Sequence, residues 1–494
     1  MTSTAKLVGI KSAKGTGKTE AIADYIQEYI NQGQPVILLS HRVQLVKALT
    51  ERFGIDNAYN FRISDTKGVL GLGLCVDSLH SESQVNFSPD NWDDFILVID
   101  EVEQVIPHTL ISSKTTVASH RTEVLANLST LCQNASQIIL SDADLSDRAF
   151  NYIRSLTGNC SQHIIQNDYQ PARGTKLYNY KTPETWLDAL VEKLGDGEKI
   201  LIPTDSQQAK STWGAQTLES LIKEVYSNLR VIRIDSETIV NPEHEAYQAI
   251  EHLDSLISQY DVVIYTPVLG TGVSIDLKGH FDSVFSINQG TQSENSTRQF
   301  IARLREGIPR HCYFKAIGCN FLGGGETSDY EVHRSQKAQV KQNLSNLGKL
   351  EKSPLDFDGN HCKAYAQYIA NHNLSLSAYR ENVLEGLRQE GYEITTIEDI
   401  DDETRKDFRD MMKETRNGNY DNLTSAIAQT ETPSDTELTA LESKQELTDS
   451  QRHQLRKGKM EKLYGVEADQ ELVEQDDDGL YANLSLLFWL TIGR

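Results

Sequence analysis

The chain has 494 residues, 38% of them hydrophobic, which is too long for one ordinary core and enough to fill two or three. Its net charge of −23 speaks against a nucleic-acid binder if taken alone, but the excess is concentrated after residue 350, where 30 acidic face 16 basic residues. Six cysteines without a C-x-x-C pair indicate neither a disulfide framework nor a zinc site. The apolar run 484–492 is too short to span a bilayer and no signal peptide is in view, so a soluble, cytoplasmic protein is expected.

Residues 7–10 read as a short buried strand, and residues 20–29, with apolar Ala21, Ile22, Tyr25, Ile26 and Tyr29, as a helix. Between them lies Ser12-Ala-Lys-Gly15-Thr16-Gly17-Lys18-Thr19, followed by Glu20. Gly15 and Gly17 let the backbone turn so that its N–H groups face phosphate oxygens, and the helix N-terminus favours negative charge. Lys18 would reach the outer phosphates and the Thr19 hydroxyl would ligate Mg²⁺. Ser12 stands where such a loop usually opens with glycine. A glycine-rich turn without nucleotide is the plainer alternative, and the strand and helix on either side argue against it.

Residues 35–40 form a continuous apolar run of parallel-sheet type that ends in Ser40-His41-Arg42, where ligands bind in open α/β sheets. A strand over 73–77 ends in Asp77-Ser78-Leu79. The run 95–99 then delivers Asp100 and Glu101, adjacent carboxylates suited to holding Mg²⁺ and orienting the attacking water. Residues 137–144 repeat the pattern of strand and polar turn, ending Ser141-Asp-Ala-Asp144. Strands alternating with helices predict a doubly wound parallel sheet, and the polar stretch 167–174 a boundary.

The pattern restarts with strand candidates at 199–205, 230–235, 261–266 and 282–287, without a second phosphate loop. Thr266-Pro-Val-Leu-Gly270-Thr-Gly272-Val-Ser274 is a glycine-containing turn at a strand end. Residues 296–306 read as a helix on which Gln299 and Arg303 share a face, with Arg305 beyond. Two arginines in a short helix usually form a solvated face, but beside a phosphate site they can serve as arginine fingers. After residue 350 the chain is polar and acidic, with one basic island at 451–462 that reads as an exposed helix face or a patch for phosphates or a partner.

This ordered set resembles superfamily 2 helicases over roughly residues 6–320: 12–19 looks like motif I, 39–42 motif Ia, 100–103 motif II, 141–144 motif III, 204–205 motif IV, 266–274 motif V and 299–305 motif VI. Asp100-Glu-Val-Glu103 and the Gln-x-x-x-Arg-x-Arg form of 299–305 are similar to the helicase part of cyanobacterial-type plasmid replication proteins and to herpesvirus-type origin-binding helicases. The resemblance implies two tandem RecA-like α/β domains (1–168 and 169–345) and a mainly helical, acidic region (346–494) of unassigned role. It implies ATP and Mg²⁺, with Gly15, Thr16, Gly17, Lys18, Thr19, Glu20 and Gly272 around the nucleotide and Thr19 and Asp100 on the metal. Lys18, Glu101, Gln299, Arg303 and Arg305 would then act in catalysis, and Ser40, His41, Arg42 and Thr266 would touch nucleic acid. Arg305 lies one residue short of the family's second arginine, and Ser-Asp-Ala replaces the usual Ser-Ala-Thr of motif III. The expected partners are single-stranded or tailed duplex DNA and replication proteins such as a primase. The implied function is an ATP-dependent helicase in plasmid replication initiation; the alternative is an origin-binding initiator that ATP switches without processive unwinding.

Overall fold

A computed structural model of the chain describes residues 4–60, 69–113, 115–270, 273–346 and 359–491. It forms two compact units: 1–174 with 293–295 and 316–392, and 175–292 with 296–315 and 393–494. Each is built on a seven-stranded sheet.

The first sheet comprises β1 (Leu7–Ser12), β2 (Val36–Ser40), β3 (Asp56–Asn57), β4 (Gly71–Cys75), β5 (Ile96–Asp100), β6 (Gln137–Asp142) and β7 (Gln162–Asn167). Its strand order is β3-β4-β2-β5-β6-β1-β7 and every pairing is parallel. Successive side chains of a strand point to opposite faces, so both faces must be covered, and the central strands are accordingly apolar throughout. Leu7, Ile37, Leu39, Leu97, Ile99, Ile138 and Leu140 pack into one core. Val8, Ile10, Val36, Leu38, Ile96, Val98 and Ile139 pack into the other, against helices Lys18–Ile30 and Val43–Phe53.

The second sheet comprises β8 (Lys176–Tyr180), β9 (Ile200–Pro203), β10 (Val231–Ile234), β11 (Val262–Tyr265), β12 (Ser283–Asn288), β13 (Arg310–Phe314) and β14 (Glu393–Ile397). Its order is β10-β11-β9-β12-β13-β8-β14, again all parallel. Ile200, Ile202, Val262, Ile264, Phe285 and Ile287 face one core, and Leu201, Ile232, Ile234, Val263, Tyr265 and Val284 the other. The fold is therefore two tandem RecA-like α/β domains with a helical C-terminal region, as the motif order implied.

That helical region divides between the two units. Helix Asn360–Ser377 places Ala364 and Tyr368 in the core of the first unit. The chain then supplies β14 to the edge of the second sheet, and helix Asp402–Gln429 packs Met412 into the core beneath it. The physical reason is burial: amphipathic helices gain stability by covering apolar surface, here partly a sheet face and partly one another, as Ile427, Met460 and Val473 do.

The helix expected over 296–306 is shorter and shifted, Glu294–Ile301. Leu304 instead makes a parallel bridge with Ile275, and that pairing draws Arg303 and Arg305 out of the helix. The shared helical face of Gln299 and Arg303 is thus absent. Helix Asp449–Tyr464 contains the basic island, and its charges are engaged: Arg452 donates to the Glu237 carbonyl, Arg456 to Asp477, and buried Lys457 to the carbonyls of Ala428 and Thr430. This is the face of a packed helix. Among the described residues no helix is long and apolar enough to cross a membrane.

Candidate nucleotide site

The strand order brings the chemistry of the first unit together. β6 lies between β1 and β5, with Lys11 opposite Asp142 and Asp100 opposite Ser141. The phosphate loop after β1, the Ser141-Asp142 end of β6 and the Asp100-Glu101 end of β5 therefore stand side by side at the carboxyl ends of three central strands, where open α/β sheets bind ligands.

Gly15 (φ 74°) and Gly17 (φ 76°) adopt the left-handed backbone that side chains disfavour, and an added Cβ on either would meet nothing within 4 Å, so the cradle is open. Gly17 caps helix Lys18–Ile30 without a side-chain hydrogen bond, which leaves the first N–H groups available to an anion. Ser12 has a function that glycine could not supply. Its buried hydroxyl sits 2.7 Å from the Thr16 hydroxyl and accepts a hydrogen bond from Asn167 Nδ2 at 3.0 Å, while Thr16 donates to the Ala13 carbonyl. The loop is braced from within. Glu20 lies at the surface, where Arg52 approaches it at 3.9 Å.

Asp100 is buried, and its Oδ1 has no hydrogen-bond partner; a buried carboxylate oxygen left unsatisfied is expensive unless a cation or water completes it. Together with the partly buried Thr19 hydroxyl, this hard-oxygen donor set fits Mg²⁺. Glu101 adopts φ 55° and ψ 50°, a conformation uncommon for a side-chain-bearing residue, as cap of helix Val102–Ile111. The turn is held by hydrogen bonds from Gln104 and Val105 to the Glu101 carbonyl.

Asp142 is a participant that the motif comparison assigned no role. Fully buried, it accepts the backbone N–H of Glu103 on Oδ2 and that of Asp144 on Oδ1, both at 2.9 Å. Burial pushes its carboxyl up to about 7, moderated by the positive charge of Lys18. Glu103 accepts the Ser146 N–H at 2.8 Å, and burial raises its carboxyl too. Tyr368, whose ring lies under the Arg148 guanidinium at 4.7 Å, brings its hydroxyl to 3.5 Å from Glu103 Oε2. No sequence pattern links Tyr368 to Glu103; only the fold does.

The strand-contact candidates separate by exposure. Ser40 and His41 are buried, whereas Arg42 is exposed at the start of helix Val43–Phe53. His80, His120 and Glu123 bring ligand atoms within 4.8 Å of one another, but the two rings stack nearly parallel with centroids 3.9 Å apart, which directs their in-plane lone pairs along parallel planes and suits a single ion poorly.

In the second unit, Asp205 accepts backbone N–H groups of Gln289 and Thr291, fixing the loop after β12. Thr266 is buried at the end of β11 and its hydroxyl has no hydrogen-bond partner. Arg303 is 9% exposed and donates from Nη1 to the Val273 carbonyl at 2.6 Å, while Arg305 is exposed and pairs with Asp276 at 3.3 Å. Gln299 lies in helix Glu294–Ile301; Gly272 lies outside the described residues.

Comparison with known proteins bears out the resemblance. Residues 1–177 match the family model described as origin of replication binding protein. The chain is 36% identical to an uncharacterised protein of Picosynechococcus sp., covering 99% of this chain and 50% of that one. It is 22% identical to an African swine fever virus protein provisionally named for a helicase/primase complex, over 84% of this chain and 39% of the relative. It is 23% identical to the replication origin-binding protein of human herpesvirus 6B, over 62% and 37%. The chain thus spans half the length or less of these relatives. Among solved structures it is similar to the Mycobacterium smegmatis helicase Lhr bound to ssDNA and AMP-PNP (TM-score 0.43, 16% identity, 74% of this chain and 52% of that) and to Saccharomyces cerevisiae Dbp5 bound to RNA and ADP BeF3 (TM-score 0.43, 15% identity, 74% and 89%).

Proposed function

We propose that the chain is the motor of a replication helicase, hydrolysing ATP at the carboxyl ends of the first sheet's strands to move along single-stranded DNA. The observation that carries this reading is the β1-β6-β5 juxtaposition, which sets an open phosphate cradle beside an unsatisfied buried carboxylate oxygen and a second carboxylate on a constrained turn. Lys18 and the N–H groups of residues 15–19 bind the phosphates, and Glu101 orients the attacking water. Thr19 and Asp100 would hold Mg²⁺, whose charge neutralises the phosphate oxygens. Arg303, with Gln299 and Arg305 nearby in the chain, is assigned to charge stabilisation on the transferring phosphoryl group, and Gly272 to the nucleotide loop. Arg42 is the solvent-facing member of the strand-contact set in the first unit, next in the chain to buried Ser40 and His41, and Thr266 is assigned to strand contact from the second unit.

Replication of a plasmid, with DNA as the strand and a primase among the partners, is the biological setting that fits the origin-binding and helicase/primase names of the relatives. The match of residues 1–177 to an origin-binding family favours one rival, an initiator that ATP switches without processive unwinding. Strand displacement on tailed duplexes of both polarities, with and without ATP, separates them. ATP-dependent release of the displaced strand supports the motor, and ATP-dependent binding without release supports the switch.

A further inference from the structure

Asp77, His41 and Glu101 come off the carboxyl ends of β4, β2 and β5, three strands adjacent in the sheet. Helix Val102–Ile111, which begins at Glu101, returns His108 to the same row. The contacts run in sequence. Asp77 Oδ2 is 2.8 Å from His108 Nε2, the His108 ring meets the His41 ring edge-on with centroids 6.3 Å apart, and His41 Nδ1 lies 4.0 Å from Glu101 Oε2. Asp77 is itself fixed by the Cys75 thiol and by the Val117 N–H.

We propose that His41 and His108 are positioning residues for Glu101, forming with Asp77 a buried row that connects the strand-facing loops after β2 and β4 to the carboxylate that orients water. The inference rests on the nucleotide-site reading and extends it to how nucleic acid governs turnover.

Three properties favour a positioning role over strand contact or plain core filling. Burial, with the charges of Arg42 and His108, pushes His41 down to about 3, so it stays neutral and can abut Glu101 without forming a fixed ion pair. Burial alone would raise the Asp77 carboxyl, but His108, the Cys75 thiol and the Val117 N–H together hold it below its usual range, so the far end of the row is a firm anchor. The constrained Glu101 backbone supplies the third: a left-handed residue at a helix cap has few ways to move, and its side chain is therefore set by what packs against it. Arg42, next to His41, is exposed to a nucleic-acid strand lying across the carboxyl ends of the β-strands. Movement of the 40–42 loop on contact with phosphates would shift His41 and so release or seat Glu101.

The test uses the full chain with His41→Ala, His108→Ala and His108→Gln. Each is assayed for ATP turnover with and without single-stranded DNA, for binding of a fluorescent ATP analogue, and for thermal melting. Removing a group that orients a catalytic ligand typically lowers activity by roughly 10- to 100-fold. We expect both alanine variants to lose kcat in that range while ATP binding and the KM for ATP change by less than about threefold. His108→Gln should recover much of the loss, because an amide N–H can still donate to Asp77. DNA stimulation should shrink in both alanine variants. If His41→Ala destabilises the fold, the pair of variants at the less buried His108 decides the matter. Wild-type turnover that the alanine variants leave within about twofold, or a loss matched by equal loss of ATP binding, overturns the row. A wild-type chain that neither binds nor hydrolyses ATP overturns the nucleotide site itself, and the row with it.

Discussion

Asp142→Asn isolates the buried carboxyl at the centre of the site. In the folded chain its carboxyl stands at about 7 against an ordinary 3.8, because burial penalises the charged form. A folded value above the unfolded one means stability that is complete below about pH 4 and lost as pH rises through 7. The full span is roughly 4 kcal/mol at 1.36 kcal/mol per unit, of which about 3 kcal/mol falls between pH 5 and pH 8. Asparagine removes this dependence. It also turns an N–H group toward one of the two backbone donors, Glu103 or Asp144, which costs about 1–3 kcal/mol at every pH. Chemical denaturation of wild type and variant from pH 5 to pH 8.5 should therefore show the variant gaining on wild type by about 3 kcal/mol, whatever the offset at pH 5. A difference between the two that stays constant across this range would refute the buried, uncharged carboxyl.

Gly73→Ala would bring its Cβ to 2.2 Å from Thr50 Cγ2 and 3.3 Å from Val46 Cγ1, so overpacking beneath β4 should lower stability by about 1–3 kcal/mol in urea unfolding; an unchanged midpoint would contradict that packing. Arg303→Ala should reduce ATP turnover by roughly 10³ to 10⁵ if Arg303 stabilises the transferring phosphoryl group, whereas loss of its Val273 hydrogen bond alone would show in melting with turnover intact below the transition. Arg303→Lys should rescue turnover poorly, since an ammonium lacks the planar fork. Affinity for single-stranded DNA should fall with salt at a log–log slope of about −0.7 per phosphate contacted, and a flat response would point to a protein partner.

The phosphate loop and the Asp100-Glu101 pair were legible because each is a contiguous signal at the end of an apolar run, and parallel sheets demand such runs on their central strands. The edge strands β7 and β14 lack that signal: both are largely exposed and polar, and the peptide Glu393-Ile-Thr-Thr-Ile397 declares itself only by pairing with β8. The helix bearing Gln299 was overextended because helical spacing says nothing of a competing strand bridge, and Leu304 found one in Ile275. His41 follows a strand end beside Arg42 and so resembles a strand contact in sequence; it is buried, and its ring meets that of His108, which joins it only in the folded sheet. Asp142 and Tyr368 were hidden for the same reason, their partners being backbone groups and a carboxylate distant in sequence.

The claim that ATP is hydrolysed at the carboxyl ends of the first sheet's strands is tested most directly by DNA-stimulated phosphate release from wild type, Lys18→Ala and Glu101→Gln, with ATP binding measured alongside. Wild type should turn over ATP faster when single-stranded DNA is present. Lys18→Ala should lose both binding and turnover, because the lysine meets the phosphates directly. Glu101→Gln should still bind ATP but fail to hydrolyse it, and should remain on DNA longer. Normal turnover in Lys18→Ala, or a Glu101→Gln variant that turns over ATP like wild type, would contradict the assignment.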